Sequence, residues 1–114
     1  MTYRLQGVFT AIVDPHRRAM LDYLAAGEMT AGELAAKFAI SRPAVAAHLK
    51  VLEDNRLVQI TKRGRERVHR LNPEGLMTVR DWLSRYEAFW DAKLGTLKAL
   101  AEAEHNDRRK GKAR

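Results

Sequence analysis

The segment from Ser41 to Leu52 constrains the fold of this chain more than any other stretch of its sequence. Ser41 can cap a helix, because its hydroxyl accepts a hydrogen bond from a free amide of the first turn. Pro43 falls in that turn, where its missing N–H costs nothing. Val45, Leu49 and Leu52 recur at helical spacing and make one narrow apolar face. The segment therefore predicts a short amphipathic helix with a serine cap.

The opposite face of this helix carries small or basic side chains and no acid. They are Arg42, Ala44, Ala46, Ala47, His48 and Lys50. A helix that lies in the DNA major groove needs small residues for close approach, a few hydrogen-bonding side chains and no carboxylates facing phosphates. An alanine-rich surface helix is the alternative, and the flanking segments must distinguish the two.

The composition indicates one small globular domain with a polyanionic partner. The chain has 114 residues, of which 46% are hydrophobic and 31% charged, and its net charge is +7. Such a charge favours nucleic acid or an anionic membrane surface as partner. We expect a cytoplasmic protein, because no apolar run could span a bilayer and no signal sequence is recognisable. The absence of cysteine excludes disulfides and thiolate metal sites.

Two helices are predicted at the N-terminal end. Residues 3–13 place apolar side chains at helical spacing and are too apolar for a free arm. Asp14 and Pro15 can then start a second helix as its cap and first residue, and Gly27 can end it. We expect the first helix to dock on another part of the protein.

A helix-turn-helix follows. Thr30 and Glu33 have the spacing of a capping box and open a helix that we expect to reach about Phe38. A tight turn then leads to the helix capped by Ser41. Two short helices joined in this way are typical of DNA-binding proteins, although the same geometry also occurs in proteins that never bind DNA.

A basic β-hairpin is predicted after this motif. Residues 57–61 and 67–71 favour strands, and Gly64 lies where the hairpin must turn. Four basic residues crowd the tip, namely Lys62, Arg63, Arg65 and Arg67. A solvated loop is the alternative, but four bases within six residues beside a groove-type helix favour contact with phosphates or with the minor groove.

The last predicted element is one long helix that runs from Asn72 to about Glu104. Apolar residues recur every seven positions along it, at Leu76, Leu83, Trp90 and Leu97. This face is longer than a small domain can cover, so we expect a symmetric dimer through this helix with the N-terminal helix beside it. The predicted interface residues are Leu5, Val8, Phe9, Leu83, Tyr86, Phe89, Trp90 and Leu97. An intrachain core of aromatic residues is the alternative.

The predicted domain organisation is simple. Residues 1–104 form a winged helix-turn-helix domain for DNA binding and dimerisation. Residues 105–114 are polar and basic, and we expect them to form a disordered tail that adds non-specific attraction to DNA.

The chain resembles the ArsR/SmtB family of winged-helix repressors from about Val8 to Leu100. The matching strings are residues 14–21, 30–35 and 41–52, together with Gly64 in the wing. The resemblance implies a mainly α fold with a small β-hairpin, dimerised through the N- and C-terminal helices. It also implies homodimeric, cytoplasmic, prokaryotic repressors that leave the operator when a signal arrives.

The chain departs from the metal-sensing members of that family. Those members carry a cysteine pair in the helix before the recognition helix, or ligands on paired final helices. Here residues 33–38 contain no cysteine, and the final helix has no histidine before His105. His16, His48 and His69 lie on three different elements without ligand spacing. We therefore expect no metal site and no cofactor.

The predicted DNA-binding residues lie on the recognition helix and the wing. They are Ser41, Arg42, Ala46, Ala47, His48, Lys50, Lys62, Arg63, Arg65 and Arg67. Positions that are often polar in the family are Ala46 and Ala47 here, which leaves Arg42 and His48 as the polar side chains for base contact. Alanine can still favour thymine through a methyl contact.

We expect a sequence-specific transcriptional regulator, a homodimeric repressor of an inverted-repeat operator. An enzyme is not expected, because no nucleophile–base spacing and no glycine-rich phosphate loop is present. The alternative is a winged-helix protein-interaction module with weak non-specific DNA binding. A membrane-surface role fits less well, because the bases do not lie along one amphipathic helix. We expect its inducer to be a small molecule or a protein.

Overall fold

The computed structural model describes the backbone of residues 2–112 and the side chains of residues 4–106. The predicted mainly helical, winged helix-turn-helix fold is confirmed. In chain order the elements are α1 (Thr2–Val13), α2 (Pro15–Ala26), β1 (Met29–Thr30), α3 (Ala31–Ala35), α4 (Arg42–Asp54), β2 (Val58–Arg63), β3 (Glu66–Leu71), α5 (Pro73–Ser84) and α6 (Glu87–Lys112). The chain forms two compact units, which divide between Asp81 and Trp82.

The junction of α1 and α2 is fixed by Asp14. Its carboxylate accepts hydrogen bonds from the backbone amides of His16, at 2.8 Å, and Arg17, at 3.2 Å. These amides have no partner inside the helix, so the side chain supplies one. The predicted cap and the proline at the first helical position are both confirmed.

The wing is part of a three-stranded antiparallel sheet of order β1-β3-β2. The hairpin register pairs Val58 with Leu71 and Arg63 with Glu66, and Gly64 turns the chain with a φ of 61°. The strand β1 was not predicted, because a strand of two residues, the second of which is the helix cap Thr30, carries no alternating pattern. It pairs Met29 with His69, which makes β3 the central strand.

The core of the first unit is built from α1, α2, α3, α4 and β2. Its buried apolar residues are Val8, Ala11, Met20, Leu21, Leu24, Leu34, Val45, Leu49, Leu52, Leu57 and Val58. Val8 is only 2% exposed. Its side chain is buried within its own chain and cannot contact a partner chain, so the prediction that Val8 belongs to the dimer interface is wrong.

The helix before the recognition helix is shorter than predicted. α3 ends at Ala35 and not near Phe38. The amide of Lys37 donates to the carbonyl oxygen of Leu34 at 3.0 Å, and that of Phe38 donates to Ala35 at 3.2 Å. These bonds span three residues instead of four, so the chain tightens into turns before Ser41.

The predicted single final helix is wrong, because the structure contains two helices. α5 ends at Ser84 and α6 begins at Glu87. Between them the amide of Tyr86 donates to the carbonyl oxygen of Leu83 at 2.9 Å, which is again a three-residue bond. Neither glycine nor proline marks this break in the sequence.

The end of α6 also differs from the prediction. The helix continues to Lys112, beyond the end expected near Glu104. Residues 105–112 of the predicted disordered tail therefore have a helical backbone, while residues 113 and 114 lie outside the described residues. Across the part of the chain that the structure describes, no helix is both long and apolar enough to cross a bilayer.

Candidate DNA-binding surface

The orientation of α4 follows from its cap and its apolar face. The hydroxyl of Ser41 accepts a hydrogen bond from the amide of Ala44 at 3.2 Å, as predicted. Val45, Leu49 and Leu52 are buried, which turns the opposite side of the helix outward. The exposed residues of this side are Ser41, Arg42, Pro43, Ala46, Ala47 and Lys50. The result is a small-residue surface with basic groups near both ends.

Gly32 of α3 lies beside the side chain of Arg42 at the start of α4. A Cβ atom at Gly32 would lie 2.5 Å from Nη2 of Arg42, so the glycine leaves room for the guanidinium. The capping box of α3 is present, with the amide of Glu33 donating to Thr30 Oγ1 at 3.1 Å and the amide of Thr30 donating to Glu33 at 3.0 Å. The hydrogen bond from the Thr30 amide is the main reason that the pKa of Glu33 lies below its ordinary value.

His48 lies away from the exposed face of α4. The residue is half-buried, and Arg17 of α2 donates from Nη1 to Nδ1 of His48 at 3.2 Å. The imidazole of His48 stacks on that of His16, with ring centroids 5.6 Å apart and an angle of 24° between the rings. The structure therefore places His48 between α4 and α2, and the sequence offered no signal for its contact with Arg17.

The C-terminal end of α4 is less basic than its N-terminal end. Lys50 donates to the carboxylate of Asp54 at 3.1 Å, and both side chains are exposed. Glu53 is exposed on the same turn. Only the N-terminal part of α4 therefore combines small side chains with positive charge that no acid on the helix neutralises.

The wing carries basic side chains with few acidic partners. Lys62 and Arg67 lie directly opposite each other across the hairpin. Like charges in such a pair repel each other. Among the described residues, no carboxylate pairs with Lys62, Arg65 or Arg67. An anion placed against the wing would relieve this repulsion.

Arg63 differs from the other basic residues of the wing. Its guanidinium binds both carboxylate oxygens of Glu28, and Nη2 lies 3.3 Å from Oε2. The arginine side chain is 58% exposed and the glutamate 37%, so water screens the pair. Arg63 is thus already bound within its own chain, which the sequence did not indicate.

The central strand of the sheet contains a buried histidine whose burial the sequence did not indicate. His69 is 4% exposed, and Nδ1 has no hydrogen-bond partner among the described residues. Burial lowers the pKa of this imidazole, because removal from water disfavours the charged form. A neutral histidine at this position therefore belongs to the folded sheet.

The predicted interface residues lie in two places. In the first unit, Leu5 and Phe9 on α1 are half-buried. In the second unit, a run of large apolar side chains is exposed. It comprises Leu83, Tyr86, Phe89, Trp90, Leu94, Leu97 and Leu100, with exposed fractions between 44% and 62%.

Comparison with known proteins agrees with this architecture. A family model described as a helix-turn-helix domain matches residues 12–61. The HTH-type transcriptional regulator Rv2034 of Mycobacterium tuberculosis is 41% identical over 93% of this chain and 97% of its own length. The transcriptional repressor SdpR of Bacillus subtilis is 35% identical over 72% of this chain and 91% of its own length.

A solved structure extends the likeness to three dimensions. The crystal structure of an ArsR family transcriptional regulator superposes with a TM-score of 0.72 at 34% identity, covering 80% of this chain and 94% of that one. These relatives are transcriptional regulators and not enzymes, in agreement with the prediction. The resemblance that the sequence strings suggested is confirmed: this chain belongs to the ArsR family of helix-turn-helix transcriptional regulators.

Proposed function

We propose that this protein is a homodimeric repressor that binds an inverted-repeat operator, with α4 in the major groove and the wing on the DNA backbone. The observation that carries the proposal is the pairing of an exposed, small-residue face on α4 with a wing whose bases largely lack acidic partners. A protein-binding surface would not need such a wing.

The N-terminal part of α4 is the proposed site of base contact. Arg42, Ala46 and Ala47 are exposed there. Arginine can donate two hydrogen bonds to O6 and N7 of guanine, and alanine can contact the methyl group of thymine. The exposed hydroxyl of Ser41 belongs to the same site as the cap of this helix. His48 would act by holding α4 against α2 instead of contacting bases.

The wing is the proposed site of phosphate contact. Lys62, Arg65 and Arg67 are free to meet the backbone or the minor groove. Arg63 would have to leave Glu28 first, and Lys50 would have to leave Asp54. These contacts would add affinity without sequence preference.

Dimerisation through the second unit accounts for its exposed apolar residues. Homodimers are typical of ArsR family regulators. Tyr86, Phe89, Trp90 and Leu97 are each about half-exposed or more in the single chain, with exposed fractions between 45% and 61%. An apolar surface of this extent is rare on a monomer and marks a contact with another chain. A two-fold dimer would present two copies of α4 to two inverted half-sites.

We expect the protein to act in the cytoplasm, where a prokaryotic operator is found. Its release would require an inducer, either a small molecule or a protein. A winged-helix module that binds protein, with only weak non-specific affinity for DNA, is the competing function.

The experiment is a selection of bound sequences from random duplex DNA, followed by binding isotherms on selected and scrambled duplexes at several salt concentrations. We expect an inverted repeat, and a steep loss of affinity as salt rises, because phosphate contacts release counterions. The double variant Arg65→Gln, Arg67→Gln should have a shallower salt dependence. The control is Arg80→Gln, Lys98→Gln, which removes the same charge from exposed positions on α5 and α6. Absence of any selected sequence would favour the protein-interaction module.

A further inference from the structure

Three side chains of the type that bind metal ions meet between the start of α2 and the middle of α4. Asp14, His16 and His48 each offer one ligand atom, and these atoms all lie within 4.8 Å of one another. In the sequence, the histidines lie on different elements without ligand spacing, which argues against a metal site. The fold nevertheless brings two of them together, so that reason does not hold.

We propose that Asp14, His16 and His48 form a binding site for a divalent transition-metal ion of the zinc class. Two imidazoles and one carboxylate suit Zn²⁺, Co²⁺ and Ni²⁺. The site uses neither a cysteine pair nor the final helices, which are the places where the resemblance put family metal sites.

The geometry of the cluster is close to what such an ion requires. Asp14 Oδ1 and His16 Nδ1 are 3.7 Å apart. Zinc bonds of about 2.0–2.2 Å in a tetrahedron place neighbouring ligand atoms roughly 3.3–3.5 Å apart. The His16 ring packs against His48 and the edge of Phe38, and a metal must lie in the plane of each imidazole that binds it. The side chain of His16 is 46% exposed, so there is room on its solvent side for the ring to rotate out of these contacts toward the ion. A water molecule would complete the fourth position.

Arg17 sets the chemical condition for binding. A guanidinium can donate hydrogen bonds but cannot accept them, so Arg17 donates to Nδ1 of His48. Nδ1 therefore carries no proton in this contact, and the ring proton of His48 is on Nε2. A metal bound at Nδ1 would displace Arg17. A metal bound at Nε2 would require the ring proton to move from Nε2 to Nδ1. A protonated Nδ1 cannot accept a hydrogen bond, so the contact with Arg17 would again be lost.

Metal binding would therefore replace the hydrogen bond between Arg17 of α2 and His48 of α4 by a metal ion that joins the same two helices. Arg17 would keep its hydrogen bonds to the end of α1, where Nε donates to the carbonyl oxygen of Ala11 at 2.6 Å and Nη2 to that of Thr10 at 3.1 Å. Asp14 and His16 would hold α4 through the ion instead. The positive charge of Arg17 opposes the ion, so the native site is weaker than its ligands alone would make it.

The test is a calorimetric titration of the full chain with Zn²⁺, together with the visible absorption of bound Co²⁺; neither requires DNA. We expect one ion per chain. His16→Gln should weaken binding at least about tenfold, since it removes a direct ligand while leaving the exposed ring position polar. His105→Gln, which removes an exposed histidine of α6, should leave the affinity unchanged. Circular dichroism establishes that each variant is folded.

The variant Arg17→Gln should have the opposite effect on Zn²⁺ affinity to His16→Gln. Removal of the cation next to His48 should tighten Zn²⁺ binding several-fold. Failure of the wild-type chain to bind Zn²⁺ or Co²⁺, or an unchanged affinity in His16→Gln, would overturn the site. An affinity of Arg17→Gln equal to or weaker than that of the wild type would overturn the displacement of Arg17.

Discussion

The backbone amide of Gly75 donates a hydrogen bond of 2.8 Å to the carbonyl oxygen of Arg56. Arg56 has a left-handed backbone, with a φ of 58°, at the turn between α4 and β2. A Cβ atom on Gly75 would lie 2.7 Å from the carbonyl oxygen of Asn55 and 2.8 Å from that of Arg56. The start of α5 is thus pressed against the end of the recognition helix, and only glycine permits this approach.

Gly75→Ala should lower the free energy of unfolding by about 1–3 kcal/mol, because the added methyl group meets backbone that cannot move aside. The matched control is Gly27→Ala. Gly27 has an extended φ of 169° and no atom within 4 Å of the added carbon, so its substitution should change stability by less than about 0.5 kcal/mol. Urea denaturation monitored by circular dichroism measures both. Equal effects of the two substitutions would show that the close approach at Gly75 is not rigid.

Arg42→Ala should weaken binding to the selected operator far more than binding to a scrambled duplex. A bidentate contact with guanine contributes roughly 1–3 kcal/mol of discrimination, and its loss should flatten the preference at one base pair in each half-site. Arg65→Ala should weaken both duplexes almost equally and lower the salt slope by roughly one unit per lost phosphate contact.

Fluorescence anisotropy on both duplexes at several salt concentrations separates these two roles. An equal loss on the two duplexes for Arg42→Ala would make Arg42 a phosphate contact. Sequence preference would then have to come from the alanine–thymine contacts or from DNA shape.

Glu28→Gln should raise the affinity for scrambled duplex DNA. The substitution removes the carboxylate that binds Arg63 in the free protein and adds one unit of positive charge to the wing. The exposed Glu102 of α6 offers the control, since Glu102→Gln changes the net charge equally at a site away from the wing. A salt titration of both variants provides the measurement, and equal gains would point to net charge alone.

Trp90→Glu should convert a dimer into a monomer and abolish binding to the inverted repeat. A charge placed among the exposed apolar residues of α6 cannot be buried against a second chain without large cost. Ala92→Glu introduces the same residue on the opposite side of the helix and should leave the dimer intact. Light scattering should give about twice 13.0 kDa for the wild type and the control. A wild-type monomer that binds the operator tightly would contradict the interface.

Stability should fall as the pH drops below about 6.5 because of His69. Burial holds the pKa of His69 below its ordinary value of 6.5, although hydrogen bonds with the backbone of Met29 and Arg67 and the charge of Glu53 act in the opposite direction. Below 6.5 the unfolded chain takes up a proton that the folded chain resists. The contribution to stability is therefore complete above 6.5 and is lost as the pH falls toward the folded-state pKa.

Urea denaturation at pH values on either side of 6.5 measures this dependence. His69→Phe removes the titrating group while keeping a ring in the sheet, and should reduce the change in stability across this range. His105→Gln should retain the wild-type change. A pH dependence that is the same in His69→Phe as in the wild type would assign it to other groups.

The sequence by itself determined the elements whose signals are local. Caps depend on residues two or three positions apart, so Asp14, Thr30 and Ser41 predicted the starts of α2, α3 and α4. The turn at Gly64 and the apolar face of α4 are likewise properties of short segments. The strings around these residues also sufficed to identify the family.

Only the tertiary structure decided which of these elements meet. β1 exists because β3 offers it a partner, and two residues carry no pattern of their own. The break between α5 and α6 has no glycine or proline to mark it. Packing of α2 against α4 places His48 beside Arg17 and His16, and a contact across 31 positions of the chain leaves no periodic trace in the sequence. Local hydrogen bonding can be inferred from neighbouring residues, whereas contacts between distant segments depend on how the buried faces pack.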